Sequence, residues 1–100
     1  MGPYYLKQPA IADMVVETIY YNADALHRYT LHAFAVMSNH VHLLISPRMA
    51  LPQITKALKG FTAKRANQML STTGQPFWQE ESYDRLVRNS TEFEMNQELH

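Results

Sequence analysis

The chain contains no cysteine. That excludes a disulfide frame and a thiolate metal site, so any metal held here must use histidine, carboxylate or amide ligands. No apolar run approaches the roughly 18–20 residues that span a bilayer, and the N-terminus lacks the basic-then-apolar order of a signal peptide. The expectation is a cytoplasmic protein with no membrane partner. Internal repeats, low-complexity tracts and linker-like runs are also missing, so the 100 residues are read as one small domain, 1–100. The formal net charge is zero, which argues against a general polyanion binder.

What is present is unevenly placed. Between residues 46 and 90 stand seven basic side chains (Arg48, Lys56, Lys59, Lys64, Arg65, Arg85 and Arg88) against three acids (Glu80, Glu81 and Asp84). This gives a modest positive field of the kind that phosphate contacts require, or an ordinary solvated surface. Apolar residues make up 46% of the chain, enough for a small core, while the 18% of charged residues is slightly low.

Pro9 suits the first turn of a helix, and Ile11, Val15 and Ile19 recur at helical spacing behind it, which predicts a helix over residues 9–21 ended by Asn22-Ala23-Asp24. Residues 29–36 alternate, with Tyr29, Leu31, Ala33 and Ala35 on one side and Thr30, His32, Phe34 and Val36 on the other. Residues 40–46 form a second strand-like run. Met37-Ser38-Asn39 between them makes an antiparallel hairpin that Pro47 terminates. A second helix is expected over 51–70, with Leu51, Ile54, Leu58, Phe61 and Met69 on its apolar face, Arg65 amid that face, and Lys56, Lys59 and Lys64 on the far side. After a loop at 72–76, residues 77–88 read as a third strand. Residues 91–100 read as the start of a helix, capped by Ser90 or Thr91, with Glu92 and Glu94 in its first turn.

His40-Val41-His42 carries the sharpest chemical information. Residues i and i+2 of a strand share a face, so two imidazoles stand side by side while Val41 points into the core. Such a pair can share a divalent cation, or it is simply two half-exposed strand histidines. Phe77-Trp78, followed by Tyr83-Asp84-Arg85 and Arg88, offers aromatics beside arginines, an arrangement that can hold bases and phosphates. Core packing by the two aromatics, with Asp84 and Arg85 as a surface pair, is the favoured reading there.

Val36-Met37-Ser38-Asn39-His40-Val41-His42-Leu43-Leu44-Ile45 resembles the strand that carries the HUH motif in single-tyrosine transposases of the insertion-sequence type, the REP-associated branch most closely. The resemblance continues through Leu58-Lys59-Gly60-Phe61-Thr62-Ala63 and Asn67, then Gly74-Gln75-Pro76-Phe77-Trp78-Gln79, Tyr83-Asp84-Arg85 and Glu92-Phe93-Glu94. It implies an α+β, ferredoxin-like (βαββαβ) transposase domain, often dimeric, that binds single-stranded DNA hairpins. In that family two histidines, here matched by His40 and His42, hold Mg²⁺ or Mn²⁺ on the scissile phosphate. A tyrosine then attacks to give a 5′-phosphotyrosine link. Lys56, Lys59, Lys64, Arg65, Arg85 and Arg88 are the candidate DNA contacts.

Two departures go with the resemblance. The nucleophilic tyrosine belongs on a helix just after the segment matching Glu92-Phe93-Glu94, and here no tyrosine follows Tyr83, which stands at a position the family does not use for attack. Family members also carry a central strand ahead of the segment matching Gly2-Pro3. The expectation is therefore a domain of about three strands and two main helices, short of its first strand and of most of its last helix, with the 77–88 strand left without its neighbour. Functionally it is a truncated transposase-family protein that keeps its metal pair. A non-catalytic DNA-binding or regulatory module, pairing with itself or with a full-length transposase, and an inert remnant are the alternatives.

Overall fold

The computed structural model describes residues 5–72 and 74–97, with the backbone alone at 80–83. Gly2-Pro3, Thr73 of the 72–76 loop and residues 98–100 of the expected last helix lie outside the described residues. A short 3-10 turn, Tyr5–Lys7, leads into α1 (Pro9–Asp24), then β1 (Tyr29–Val36), β2 (His40–Pro47), α2 (Leu51–Leu70), β3 (Trp78–Val87) and β4 (Ser90–Gln97). The strands form one sheet in the order β1-β2-β4-β3, with every neighbouring pair antiparallel. A mixed α+β fold with an antiparallel sheet and two helices is compatible with a ferredoxin-like transposase domain.

The segment expected to open a final helix is instead β4. Thr91, Phe93, Met95 and Gln97 are buried while Ser90, Glu92, Glu94 and Asn96 are half-buried, a period of two that only a strand satisfies. Val87 and Ser90 close a hairpin around Arg88, which takes a left-handed φ of 57°. β4 thereby occupies the place between β2 and β3 that the resemblance assigns to a strand ahead of α1. Among the described residues the sheet has four strands, and β3 is not left without a neighbour.

One sheet face is the core face. Val41, Leu43 and Ile45 of β2 and Phe93 and Met95 of β4 are sealed from solvent beneath Ile11, Val15 and Ile19 of α1 and Ile54 and Leu58 of α2. Helix α1 runs one turn past the expected stop. Asn22 donates through Nδ2 to the Thr18 carbonyl at 2.8 Å and accepts from Arg28 Nη1 at 2.7 Å, so this polar residue stabilises the last turn rather than breaking it. Tyr29 ties β1 to the same helix through its hydroxyl, 2.7 Å from the Ile19 carbonyl.

Two further expectations are corrected. In β1 the pairing jumps from Leu31↔Ile45 to Ala33↔Leu44, which makes His32 the extra residue of a β-bulge. A one-residue slip exchanges the faces, so beyond it Phe34 and Val36 pack on the core and Ala33 and Ala35 do not. In α2 the buried stripe runs Ile54, Leu58, Thr62, Ala66 and Asn67, while Phe61 and Met69 are exposed. The residues around 74–78 pull the contact face round: Trp78 Nε1 donates to Thr62 Oγ1 at 2.8 Å and Asn67 Nδ2 to the Gln75 carbonyl at 2.8 Å. Arg65 is accordingly exposed instead of sitting within an apolar face. Among the described residues, no helix is long and apolar enough to cross a membrane.

Candidate functional site on the open sheet face

Both helices pack on one side of the sheet, so the side chains alternating with Val41, Leu43 and Ile45 line a face that no described element covers. His40 and His42 stand there, with side chains 27% and 35% exposed. Because β4 runs antiparallel to β2, directly opposed residues share that face. The register sets Glu94 opposite His42, Asn96 opposite His40 and Glu92 opposite Leu44. The strand that replaces the expected helix therefore brings two carboxylates to the histidine pair.

The contacts fix the orientation of both rings. A carboxylate or amide oxygen can only accept, so His40 Nδ1–H donates to Asn39 Oδ1 at 3.1 Å and His42 Nδ1–H donates to Glu94 Oε2 at 3.2 Å. With Nδ1 so engaged, each Nε2 is turned to the open face, the disposition that outer oxygen partners impose on metal-binding histidines. His40 Nε2 lies 3.9 Å from Glu94 Oε2 and His42 Nε2 lies 3.7 Å from Glu92 Oε1, both too long for a hydrogen bond. Arg85 Nη2 stands 3.3 Å from Glu92 Oε1 and holds that carboxylate from the β3 side. Two imidazoles beside two carboxylates suit a divalent cation chemically. As the side chains lie, however, no group of three or more His, Asp or Glu among the described residues is arranged to hold a metal ion.

The sequence-predicted residues separate into distinct places. His40, His42 and Arg85 are on the open face. Tyr83 occupies the β3 register position opposite Glu94. Lys56, Lys59, Lys64 and Arg65 belong to α2, on the other side of the sheet, and Arg88 is at the exposed β3–β4 turn. Lys56 and Lys59 border a groove of about 890 Å³ between α2 and the 75–79 segment, where Lys59 Nζ donates to the Gln79 carbonyl. Phe77 and Trp78 are buried core residues, as their composition suggested, but Arg85 pairs with Glu92 and not with Asp84. Glu92, Glu94 and Asn39 were missed as site residues. The alternation of Thr91, Phe93 and Met95 with polar neighbours was the sequence signal that places the two glutamates on the histidine face.

No curated protein and no solved structure matches this chain. A family model does: the one described as "Transposase IS200 like" matches residues 6–94, which include the whole hairpin, both glutamates and both helices. With nearly the whole chain matched, the protein belongs to the IS200-like transposase family.

Proposed function

We propose that the open sheet face binds single-stranded DNA hairpins with a divalent cation, Mg²⁺ or Mn²⁺, held through Nε2 of His40 and His42. The observation that carries this reading is the shared orientation of the two rings: each Nδ1 is engaged by an oxygen acceptor and each Nε2 is left on the open face. Electrostatics supports it too. Glu92 and Glu94 repel a bare phosphodiester, so DNA approaches this face favourably only when the local charge is reversed. A bound cation would supply that reversal and polarise the phosphoryl oxygens. The chain's own part is to fix the rings through Asn39 and Glu94, to pin Glu92 with Arg85, and to present Arg85 to the DNA backbone.

Family membership makes the function transposase-like, with DNA as the partner. Within the family, the residues 36–45 point to the REP-associated branch, and we place the protein in the cytoplasm, where such DNA is met. These 100 residues carry no tyrosine beyond Tyr83. For these residues we propose metal-assisted DNA binding in which Tyr83 forms no phosphotyrosine. Incubation of a hairpin oligonucleotide with the protein and Mn²⁺ tests this: a shifted complex with no covalent adduct is expected, and an adduct abolished by Tyr83→Phe contradicts it.

A second reading rests on the exposed Lys56, Lys64 and Arg65 of α2. On it the chain is a non-catalytic DNA-binding module, acting as a homodimer or in a mixed dimer with a full-length transposase. A salt-dependent gel shift that survives His40→Ala/His42→Ala but not Lys64→Ala/Arg65→Ala favours this alternative.

A further inference from the structure

The open face has a second polar end. Ser46 lies four residues beyond His42 along β2, on the order of 13 Å at the strand rise, and on the same face. Its register partner on β1 is Thr30. From β4, Ser90 brings its hydroxyl to 3.4 Å from Ser46 Oγ. The bulge at His32 re-aims that imidazole, placing Nε2 2.6 Å from Ser46 Oγ. Just past β2, Arg48 donates through Nη2 to Thr30 Oγ1 at 3.4 Å. Thr30, His32 and Arg48 are exposed, and Ser46 and Ser90 are half-buried.

The two ends of the face differ in their close contacts, with Asp24 lining the same small cavity as Thr30 and Arg48. The histidine end carries Glu92 and Glu94. At the far end, no carboxylate is hydrogen-bonded or ion-paired to any of these five side chains among the described residues. The groups gathered there are three hydroxyls, one imidazole and one guanidinium, the kinds of donor that contact DNA phosphates. Exposed Ala33 and Ala35 border the path between the ends, so a backbone can approach the sheet closely.

We propose that Arg48, His32 and the hydroxyls of Thr30, Ser46 and Ser90 form a phosphodiester-binding row for single-stranded DNA, which carries the strand across the sheet toward His40 and His42. The row rests on the DNA-binding function proposed above. It contacts phosphates and not base edges, so its contribution is independent of base sequence.

Fluorescence anisotropy with a labelled single-stranded hairpin oligonucleotide, in Mn²⁺ and over a salt series, tests the row. Arg48→Ala is expected to weaken binding roughly three- to tenfold for any sequence and to make the salt slope shallower by about one. His32→Ala/Ser46→Ala weakens it further, and Arg48→Lys keeps most of the affinity. Mn²⁺ binding followed by calorimetry stays unchanged in all of them. Wild-type affinity in both Arg48→Ala and His32→Ala/Ser46→Ala overturns the row while leaving the DNA-binding function intact. Failure of the wild-type protein to bind the oligonucleotide at low salt overturns both.

Discussion

His42 Nδ1 donates to Glu94 Oε2 at 3.2 Å across the β2–β4 ladder, so the ring orientation of the candidate metal site depends on a residue 52 positions away in sequence. The carboxylate has opposite effects in two conditions. Without divalent metal it repels phosphate, and Glu94→Gln should raise affinity for single-stranded DNA about two- to fivefold. With Mn²⁺ it holds the ligand ring, and the same substitution should lower DNA affinity on the order of tenfold. Anisotropy titrations with EDTA and with Mn²⁺ check the reversal. The same sign in both conditions contradicts the role given to Glu94.

Gln97 is sealed from solvent on the core side of β4, and its side-chain amide has no hydrogen-bond partner among the described residues. An unpaired buried amide costs about 1–3 kcal/mol. Gln97→Leu should therefore stabilise the fold by about 1 kcal/mol, seen as a Tm raised by roughly 4–8 °C in a thermal melt. An unchanged or lower Tm shows that the amide is satisfied in solution.

Thr62 serves two buried bonds at once, donating to the Leu58 carbonyl at 2.6 Å and accepting from Trp78 Nε1 at 2.8 Å. Thr62→Val keeps the shape and leaves the indole N–H unpaired, with an expected loss of about 1–3 kcal/mol. Thr62→Ser should recover most of that loss in urea unfolding. Equal stability of Thr62→Val and wild type rules out the bond as a link between α2 and β3.

Tyr29 is 1% exposed, and burial pushes its phenol well above the usual tyrosine range, with the nearby Arg28 pulling it partly down and Asp24 adding to the rise. The neutral form is therefore favoured in the folded state. Its contribution is complete below the unfolded-state value of about 10 and is lost as pH rises beyond it. Tyr29→Phe should cost about 1 kcal/mol at neutral pH through the lost bond to Ile19 and should lessen the fall in stability above pH 10. Parallel stability–pH curves for the two proteins contradict this assignment.

The histidine strand was legible in the sequence because its alternation, its turn and its proline stop agree, and the structure places Val41 in the core with both histidines opposite it. The glutamates were not, because Ser90, Thr91, Glu92 and Glu94 also satisfy the rules for a helix N-terminus. Pairing to β2 decided the matter, and local capping preferences hold no information about that partner. The bulge at His32 was hidden for the same reason, since only the register against β2 reveals an extra residue. The buried stripe of α2 was misjudged because Thr62 and Asn67 are polar. They are buried by bonds to Trp78 and to the Gln75 carbonyl, which a hydrophobicity pattern cannot register.

The most direct test of the account is calorimetric titration of Mn²⁺ into the wild-type protein and into His40→Ala/His42→Ala, with a thermal melt of each to establish folding. A single Mn²⁺ site is expected in the wild type, disappearing in the double variant while the cooperative melt remains. Absence of Mn²⁺ binding in a folded wild-type protein, or equal binding in both, contradicts it.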